Sequence, residues 1–262
     1  HAGPEKLPVS GTAMSEFTVT EPGFYGKLPV YGDFIQKRLP RDFIAPWDDW
    51  LQAGISAIKS QLADQWLTHY LNCPAWQFVL GDGVCGEQAC AGVTIPSVDK
   101  VGRYFNFTLA CMLPHGTAPS RFMVRHHGWL QALEDLALTI LSDEFDQEQI
   151  DEALMQLELP DVTDLASRPE FEPSDTGAHL TFSGTLASTV MTEALLEELV
   201  LQHTGGRYGL LLLTGSSQVA PQLVISAEMP DVEQFLKLMI GREVEEAPDE
   251  LSGDQVLDEF LS

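Results

Sequence analysis

The stretch that decides the fold runs from Val93 to Leu113 and reads VTIPSVDKVGRYFNFTLACML. Two apolar runs, Ala89–Ile95 and Tyr104–Leu113, lie on either side of a short polar segment. The second run is rich in aromatic and branched side chains, which is typical of a buried strand. Pro96 cannot donate a hydrogen bond to a sheet ladder, so the first strand is predicted to end there. The sequence therefore predicts a central hairpin of two neighbouring strands.

The turn of this hairpin is predicted to be Ser97–Arg103, which carries Asp99, Lys100 and Arg103. Its place in the chain brings the three charged side chains together at one end of the sheet. A charged, solvated loop is the ordinary interpretation of such a composition. A second interpretation is that the opposite charges four residues apart close the loop on itself, with Gly102 giving the backbone freedom between them.

Three other blocks precede this stretch. They are GFYGKLPVYGDF from Gly23, LPRDFIAPWDDWLQAG from Leu39 and PAWQFVLGDGVCG from Pro74. In this order, and followed by AGVTIPSVDKVGRYF, the blocks resemble the TagF family of type VI secretion-associated proteins. The resemblance covers about Gly23 to Gly241 and is stronger before Pro114 than after it.

The resemblance implies a cytoplasmic, non-enzymatic regulator in a Gram-negative bacterium. Members of the family are regarded as restraining the assembly or firing of the secretion apparatus after translation. The implied partners are type VI secretion components, in particular the forkhead-associated scaffold protein of the threonine-phosphorylation branch, although the family also acts independently of that phosphorylation. Relatives often have proline where this chain has Asn106, and a tryptophan-containing strand where it has Tyr208–Leu213.

Charge is distributed unevenly along the 262 residues, whose net charge is −25. Residues 1–133 hold 10 Lys and Arg against 11 Asp and Glu, whereas residues 134–262 hold 4 against 28. Because an acidic surface repels phosphate backbones, nucleic acid is excluded as a partner class. Solubility alone is the other explanation of so acidic a half.

The cysteines and the hydropathy pattern predict a reduced, cytoplasmic protein. Cys73, Cys85, Cys90 and Cys111 form no C-x-x-C pair, and two of them lie inside apolar runs, where a free thiol acts as a small hydrophobe. The chain shows no signal peptide and no apolar run of about 18 residues, so direct membrane insertion is not expected.

The predicted fold class is α+β, with a largely antiparallel central sheet flanked by helices in an α/β/α-like sandwich, because strands outnumber parallel crossovers. The predicted strands are Phe17–Tyr25, Trp76–Leu80, His179–Ser183, Tyr208–Leu213 and Gln222–Ser226, beside the central hairpin. The predicted helices run from Pro46 to about Ala63, from Trp66 to Leu71, from Pro119 to Leu141, and over Asp146–Leu157, Thr189–Gln202 and Asp231–Ile240.

The chain divides into five predicted regions. They are an expression remnant (1–13), an N-terminal TagF-like α+β region (14–157), a mobile acidic linker (158–178), a C-terminal α/β region on the same core (179–241) and an acidic tail (242–262). The linker prediction depends on the loss of hydrophobic periodicity and on three prolines among acidic residues. Whether the C-terminal strands join the central sheet is left open by the sequence.

Catalytic signatures are missing from the sequence. It has no Walker A motif, no H-E-x-x-H and no G-x-S-x-G. Gly81, Gly83 and Gly86 satisfy G-x-G-x-x-G, but a strand is predicted next, where a dinucleotide site needs a helix. No catalytic residue, metal or cofactor is therefore predicted. The alternative is a hydrolase with a cleft built on Asp33, Asp99 and Arg103, which requires these groups to converge with perturbed pKa values.

A basic group marks the most plausible binding region. Lys27, Lys37, Arg38 and Arg41 lie within fifteen residues of an otherwise acidic chain. Such a patch is suited to an acidic partner in trans or to the acidic tail in cis, and a solubilising surface is the alternative. The predicted partner-binding residues are Lys27, Asp33, Phe34, Lys37, Arg38, Arg41, Asp99 and Arg103. Phe24, Tyr31 and Phe34 are the predicted aromatic anchors.

Overall fold

The computed structural model describes most of the chain. The described residues are 19–143, 145–162, 170–174, 177–181, 200, 206–215 and 219–240. Several predictions lie outside these ranges: the expression remnant, the acidic tail and, apart from Val200, the helix over Thr189–Gln202. The first residues of the strand predicted from Phe17 also lie outside them.

Nine strands lie within the described ranges. They are β1 (Gly23–Gly26), β2 (Ile35–Lys37), β3 (Trp76–Leu80), β4 (Cys90–Ile95), β5 (Phe107–Met112), β6 (Glu170–Ser174), β7 (Gly177–Thr181), β8 (Gly209–Leu213) and β9 (Gln222–Ser226). Seven of them form one sheet in the order β2-β1-β5-β4-β3-β8-β9, and β6 pairs with β7 separately. Each pairing among the described strands is antiparallel.

Helices cover both faces of the seven-stranded sheet. The described helices are α1 (Arg41–Leu62), α2 (Trp66–Asn72), α3 (Pro119–Arg125), α4 (His127–Asp143), α5 (Gln147–Met155) and α6 (Val232–Ile240). The first, second and sixth pack on one face, and the third to fifth pack on the other. The predicted α+β sandwich is therefore confirmed.

Strand β3 shows why the sheet needs a layer on each side. Successive side chains of a strand point to opposite faces. Trp76 and Phe78 pack toward α1, whereas Val79 packs toward α3 and α4. Between them Gln77 donates its side-chain N–H to Glu134 of α4 at 2.7 Å. Because both faces are buried, the strand is a continuous apolar run apart from this one amide.

The central hairpin has the predicted strands and a longer connection. Cys90 pairs with Met112 and Ile95 pairs with Phe107, and all twelve residues of β4 and β5 are buried. Strand β5 begins three residues later than predicted, because Tyr104 pairs with Val98 in an isolated bridge inside the connection. The two strands are thus joined by a structured loop, which occupies residues 96–106.

Helix α1 begins at Arg41, five residues before the predicted start at Pro46. The first four N–H groups of a helix have no acceptor within the helix, and each later N–H bonds the carbonyl four residues before it. Pro46 is the sixth residue of α1, so its missing N–H costs the helix one hydrogen bond, the one to the carbonyl of Asp42. Gly86 approaches that carbonyl so closely that a Cβ atom there would lie 2.6 Å from the oxygen.

The helix predicted from Pro119 to Leu141 is two helices. Helix α3 ends at Arg125, and His126 leaves the helical conformation before α4 starts. The His126 ring packs on Phe122 at 4.8 Å between centroids, and burial lowers the pKa of this imidazole. The apolar spacing continues across the break, which is why the sequence pattern does not show it.

The predicted bounds of the N-terminal strand and of the acidic linker also differ from those in the structure. The N-terminal strand is shorter than predicted and begins at Gly23, and β2 follows it inside a segment predicted as loop. Strand β6 lies at 170–174, within the segment predicted as an acidic linker, and pairs with β7. Loss of hydrophobic periodicity therefore does not exclude a strand, here one that belongs to a separate two-stranded sheet.

The C-terminal strands join the central sheet, which answers the question that the sequence left open. Each residue from Gly209 to Leu213 pairs with one residue of β3. Helix α6 returns to α1, where the Phe235 ring lies so close to Gly54 that a Cβ atom would be 2.5 Å away. One core thus includes residues from both halves of the chain.

All four cysteines are free and buried. Burial raises the pKa of the Cys73 and Cys85 thiols to about 12, so little reactive thiolate is present at neutral pH. We expect four titratable thiols per chain in denaturant without reductant, and alkylation in the native state that is slower than for a free thiol. Thiol counting before and after unfolding checks this, and fewer than four thiols in denaturant would contradict it.

Candidate functional site

Two loops meet at one end of the central sheet. The first, residues 27–34, connects β1 to β2, and the second, residues 96–106, connects β4 to β5. They adjoin because Gly26, at the end of β1, pairs with Phe107, at the start of β5. A Cβ atom on Gly26, whose φ is +139°, would lie 2.1 Å from the carbonyl oxygen of Asn106. The N–H of Lys100 also donates to the carbonyl of Tyr31 at 2.8 Å. We call this pair of loops the double loop.

Asp99 is the centre of the double loop. Its side chain is fully buried, and Oδ2 accepts hydrogen bonds from Lys27 Nζ at 3.1 Å and Arg103 Nε at 2.7 Å. Oδ1 accepts the backbone N–H groups of Val101 at 3.0 Å and Arg103 at 2.8 Å. Gly102, with φ of +85°, lets the chain turn between these two donors. One carboxylate therefore joins both loops and fixes the backbone of the second.

The environment of Asp99 favours its ionised form. Desolvation by burial acts to raise the pKa of the carboxyl group, but it is outweighed by the N–H of Arg103 and by the side chains of Lys27 and Arg103. The net result is a pKa well below the usual range. Charge-assisted hydrogen bonds of this kind are roughly twice as strong as neutral ones.

The lowered pKa of Asp99 predicts a loss of stability in acid. The ionised group contributes stability above the unfolded-state pKa of about 3.9, and this contribution is lost as the pH falls toward the lower folded-state pKa. Relative to wild type, Asp99→Asn should therefore be much less stable at pH 7, and the difference should begin to narrow only below about pH 4 and continue to shrink toward the folded-state pKa. Urea unfolding of both proteins from pH 7 to pH 2 measures the difference, and a constant difference over this range would contradict the assignment.

Phe34 is the exposed aromatic residue of the double loop. The residue is 39% exposed, and its ring stacks on Tyr25 at 5.5 Å and meets Phe105 edge-on at 4.9 Å. Lys27 Nζ lies 4.7 Å from the centroid of the same ring. The ring is therefore supported from beneath and held in place while one side faces solvent. Arg103, whose side chain is 56% exposed, contacts the carbonyl oxygen of Gly32 beside it.

A second carboxylate supports Phe34 from α1. The Tyr25 hydroxyl donates to Asp48, and Gln52 donates to the other oxygen of the same carboxylate. Burial, followed by the hydrogen bond to Asp48, raises the pKa of Tyr25 above its usual range. Asp48 therefore supports the ring of Phe34 through Tyr25. This role could not be inferred from the sequence, because it depends on the distance between β1 and α1.

A buried polar network underlies the second loop. The Tyr70 hydroxyl accepts the N–H of Ser97 at 3.1 Å and lies 3.1 Å from both the Ser97 carbonyl and the Asn106 side-chain oxygen. Asn106 Nδ2 donates in turn to Thr94 at 3.3 Å. The side-chain amide of Asn106 thus ties the loop to the sheet.

The predicted basic patch divides into separate groups. Lys27 is buried against Asp99, as described above. Lys37 and Arg38 both bind Asp151 of α5, whose pKa they lower, and Arg38 Nε also donates to the carbonyl of Pro22 at 2.8 Å. Three of the four cations are therefore neutralised by internal partners, and they do not form one open surface.

The remaining predicted site residues lie at different places. Arg41 is exposed at the first position of α1. Asp33 is exposed and accepts the N–H of Phe34 at 2.8 Å, whereas Asp99 is buried between Lys27 and Arg103. The two carboxylates thus have different surroundings, and both oxygens of Asp99 are already used as acceptors inside the double loop.

The predicted aromatic anchors also differ in exposure. Phe24 is fully buried in the core between the sheet and α4, so its prediction as an anchor was wrong. Tyr31 is half-buried, and its hydroxyl accepts the N–H of Gln147 at 2.9 Å. Among the three predicted anchors, Phe34 is the one that faces solvent.

Lys59, Trp66 and Tyr104 are surface residues that the sequence analysis missed. Lys59 Nζ lies 4.6 Å from the centroid of Trp66, which meets Tyr104 edge-on at 5.3 Å. The spacing of seven residues between the lysine and the tryptophan is a weak signal of a shared helix face. The helix is interrupted between them, so the contact depends on the turn at Ala63–Gln65.

Within the described residues, no three His, Cys, Asp or Glu side chains gather as a set of metal ligands. No helix in the same ranges combines the length and the apolar character needed to cross a membrane. A small pocket of about 130 Å³ lies away from the double loop, lined by residues that include Asp42, Cys85 and His115.

A family model matches residues 23–157, and its description is TagF N-terminal domain, type VI secretion system-associated. The match covers slightly more than half of the chain and includes the whole double loop. The chain belongs to the TagF family. The matched part ends two residues after α5, so it contains the first five strands and first five helices.

A solved structure agrees with this assignment over a longer range. It is PA0076 from Pseudomonas aeruginosa PAO1, with 30% sequence identity and a TM-score of 0.69. The similarity covers 87% of this chain and 98% of that protein, and so extends beyond the TagF N-terminal domain. A search of curated proteins found no match. The family places this chain in type VI secretion and leaves its mode of action to be inferred from the site.

Proposed function

We propose that this TagF-family protein represses type VI secretion after translation, in the cytoplasm, by binding a scaffold component and without chemical turnover. The proposed partner is the forkhead-associated scaffold protein. The observation that carries the proposal is the exposed ring of Phe34, which packs on Tyr25 and Phe105 beside the buried Lys27. These residues lie in the part of the chain that matches the family model. An exposed aromatic side chain with restricted motion loses little entropy on binding, which suits an interface anchor.

The proposed contact surface is the outer side of the double loop. Val101 is 67% exposed and Phe34 is 39% exposed, which gives two apolar contacts on neighbouring loops. Lys100 and Arg103 are exposed beside them. An apolar centre bordered by cations matches the usual anatomy of a protein interface, in which aromatic and Arg residues supply most of the affinity.

The other predicted partner-binding residues act at different distances from this surface. Lys27 and Asp99 hold the two loops together from inside, and Lys37 and Arg38 tie the end of β2 to α5. We propose Asp33 and Arg41 as exposed polar positions at the edge of the interface. Charge at such edges changes the association rate and its salt dependence more than the final affinity.

Overexpression in a type VI-competent host, together with Phe34→Ala, tests the proposal. The intact protein should reduce export of secreted substrates without changing their cellular levels. Truncating a central aromatic anchor typically costs about 2 kcal/mol or more of binding, a roughly 30-fold loss of affinity. Phe34→Ala should therefore restore export, and its binding to the purified forkhead-associated protein should weaken to a similar extent.

Leu138→Ala is the matched control. Leu138 is 49% exposed on α4, in the opposite layer, so its truncation removes a similar apolar contact without touching the double loop. This variant should repress as strongly as wild type. Normal export under strong overexpression of the intact protein would overturn the repressor role. Full repression by Phe34→Ala would remove the double loop from the mechanism.

A further inference from the structure

A strip of aromatic side chains continues from Phe34 along α1. It consists of Phe34, Phe105, Tyr104 and Trp66, and we call it the aromatic strip. The first two rings meet at 4.9 Å and the last two at 5.3 Å. Tyr104 and Phe105 are consecutive residues that both pack on the core beneath α1, so the two pairs lie on the same side of the sheet. Phe34 is the most exposed of the four, and Tyr104 and Trp66 are half-buried.

Cations border the aromatic strip at both ends. Lys27 lies over the ring of Phe34, and Lys59 lies over the ring of Trp66. Arg103 immediately precedes Tyr104 and keeps more than half of its side chain exposed. In a chain with 39 acidic and only 14 basic residues, two exposed cations, Lys59 and Arg103, on one aromatic surface favour an acidic ligand, whereas Lys27 is buried against Asp99.

The strip is also long enough for a peptide. Phe34 stacks on Tyr25, which is bonded to Asp48 of α1, whereas Trp66 contacts Lys59 of the same helix. Eleven residues of α-helix separate these two positions, which corresponds to about 17 Å at 1.5 Å per residue. This length fits about five residues of extended chain or three turns of helix.

The chain itself contains an acidic segment with apolar residues. Residues 241–262 hold eight Asp and Glu against one Arg. Their C-terminal part reads VLDEFLS, in which Val256, Leu257, Phe260 and Leu261 are separated by two carboxylates. Acidic and apolar groups in one short segment are complementary to the cationic and aromatic groups of the strip.

This segment follows a helix that ends close to the strip. Leu238, two residues before the end of α6, has its carbonyl oxygen 4.0 Å from Cys73 Sγ, next to the last residue of α2. Helix α2 begins at Trp66 and is about 10 Å long at 1.5 Å per residue. A random chain of 22 residues has an end-to-end distance of about 26 Å, which spans the strip, and tethering of this kind gives effective concentrations of about 1 mM.

We propose that the acidic segment 241–262 binds the aromatic strip in cis and thereby competes with the partner for Phe34 and Arg103. Binding in cis is independent of the proposed function, and only its regulatory consequence rests on that function. A tethered ligand at about 1 mM occupies a surface even when its intrinsic affinity is weak. A partner must then displace the segment. The partner's apparent affinity is therefore its intrinsic affinity multiplied by the fraction of molecules whose aromatic strip is free.

Zero-length carbodiimide cross-linking of the full chain, read by mass spectrometry, tests the contact directly. Lys59 should cross-link to carboxylates of residues 241–262 at low salt, and this product should fall more than about threefold at 0.5 M salt, where charges are strongly screened. The Lys37–Asp151 ion pair supplies an internal positive control, because it lies within the described fold. If the segment cross-links only to Lys237, near its own base, or equally to Lys37 and Lys59, the proposal is overturned.

Binding in trans gives a second measurement. A labelled peptide of residues 241–262 is titrated into the full chain in which the eight acidic residues of the segment are Asn or Gln. Lys59→Glu should weaken this binding at least fivefold, whereas Arg207→Glu should leave it unchanged. Arg207 is exposed just before β8, at the end of the sheet opposite the double loop, so the two reversals are matched in charge and differ in their distance from the aromatic strip. Equal effects, or undetectable binding at 1 mM peptide, would overturn the proposal.

The two proposals fail separately. If cis binding is wrong, neither assay shows the Lys59 contact, and partner binding through Phe34 is unaffected. If the proposed function is wrong, cross-linking and peptide binding persist while secretion is unchanged by overexpression. When both hold, neutralising the eight acidic residues should raise the affinity for the forkhead-associated protein.

Discussion

Replacing Asp99 by Ala is expected to lower the free energy of unfolding by about 3–5 kcal/mol, because removal of one member of a buried ion pair leaves the other charge unpaired. Lys27 is the residue left unpaired, with its side chain only 8% exposed. The backbone N–H groups of Val101 and Arg103 also lose their acceptor. The ion pair between Arg103 and Asp99 adds little to this loss of stability, because the Arg103 side chain is more than half exposed to solvent. Urea unfolding at pH 7 measures the change.

A double-mutant cycle distinguishes a coupled ion pair from two independent losses of stability. Lys27→Met combined with Asp99→Ala should cost less than the sum of the single changes, because the double variant no longer buries an unpaired charge. Asp33→Ala is the matched control, since this exposed carboxylate contacts only an adjacent N–H group. It should change stability by less than about 0.5 kcal/mol. Additive single effects would contradict the ion-pair assignment.

The second large effect is expected for Trp47→Ala, at about 3–5 kcal/mol of lost stability. Trp47 is fully buried and packs against Phe78 at 4.6 Å, Trp50 at 5.1 Å and Phe43 at 5.5 Å between ring centroids. Its Nε1–H also donates to Thr108 Oγ1 at 3.0 Å. The indole therefore joins α1 to β5, the strand that leaves the double loop.

Two variants separate the parts of this effect. Thr108→Val keeps the indole and removes its acceptor, together with one hydrogen-bond partner of the Thr94 hydroxyl, so it should cost about 1–3 kcal/mol, the range for a buried donor left unsatisfied. Trp66→Ala removes a half-buried indole on the same face and should cost clearly less than Trp47→Ala. The slope of the free energy of unfolding against denaturant concentration should be unchanged in each variant, since the same surface is exposed on unfolding. A loss below about 1 kcal/mol for Trp47→Ala would contradict its place in the core.

The sequence predicted the central elements well, because their signals are local. Trp76–Leu80 and Gln222–Ser226 are apolar runs between turn residues, and both strands occur with the predicted bounds. Pro96 ends β4 as predicted, since it lacks the N–H that the ladder needs. The boundary errors at Pro46 and His126 arose where the helical pattern extends across a helix start or a helix break. Periodicity identifies the buried face, and it does not locate the ends of a helix.

The candidate site was predicted less completely. The pairing of Asp99 with Arg103 is a contact four residues apart, and the sequence suggested it. The pairing of Lys27 with Asp99 joins residues 72 positions apart, and it separates Lys27 from the predicted basic patch. Lys37 and Arg38 were predicted as part of a basic patch for an acidic partner, yet they bind Asp151 of the same chain, 114 and 113 positions away. Charge in a sequence identifies groups that need partners, and it does not identify the partners.

By itself, the sequence determined the α+β class, the central hairpin, the TagF resemblance and the presence of a charged loop between the two hairpin strands. These follow from apolar spacing, from residues with fixed backbone preferences and from motifs in a fixed order, all of which are properties of neighbouring positions. Only the tertiary structure decided that β8 joins β3, that Phe24 is buried while Phe34 is exposed, and that one buried carboxylate holds two loops together. The physical reason is that burial and electrostatic pairing depend on distances in space, which packing sets between residues far apart in the chain.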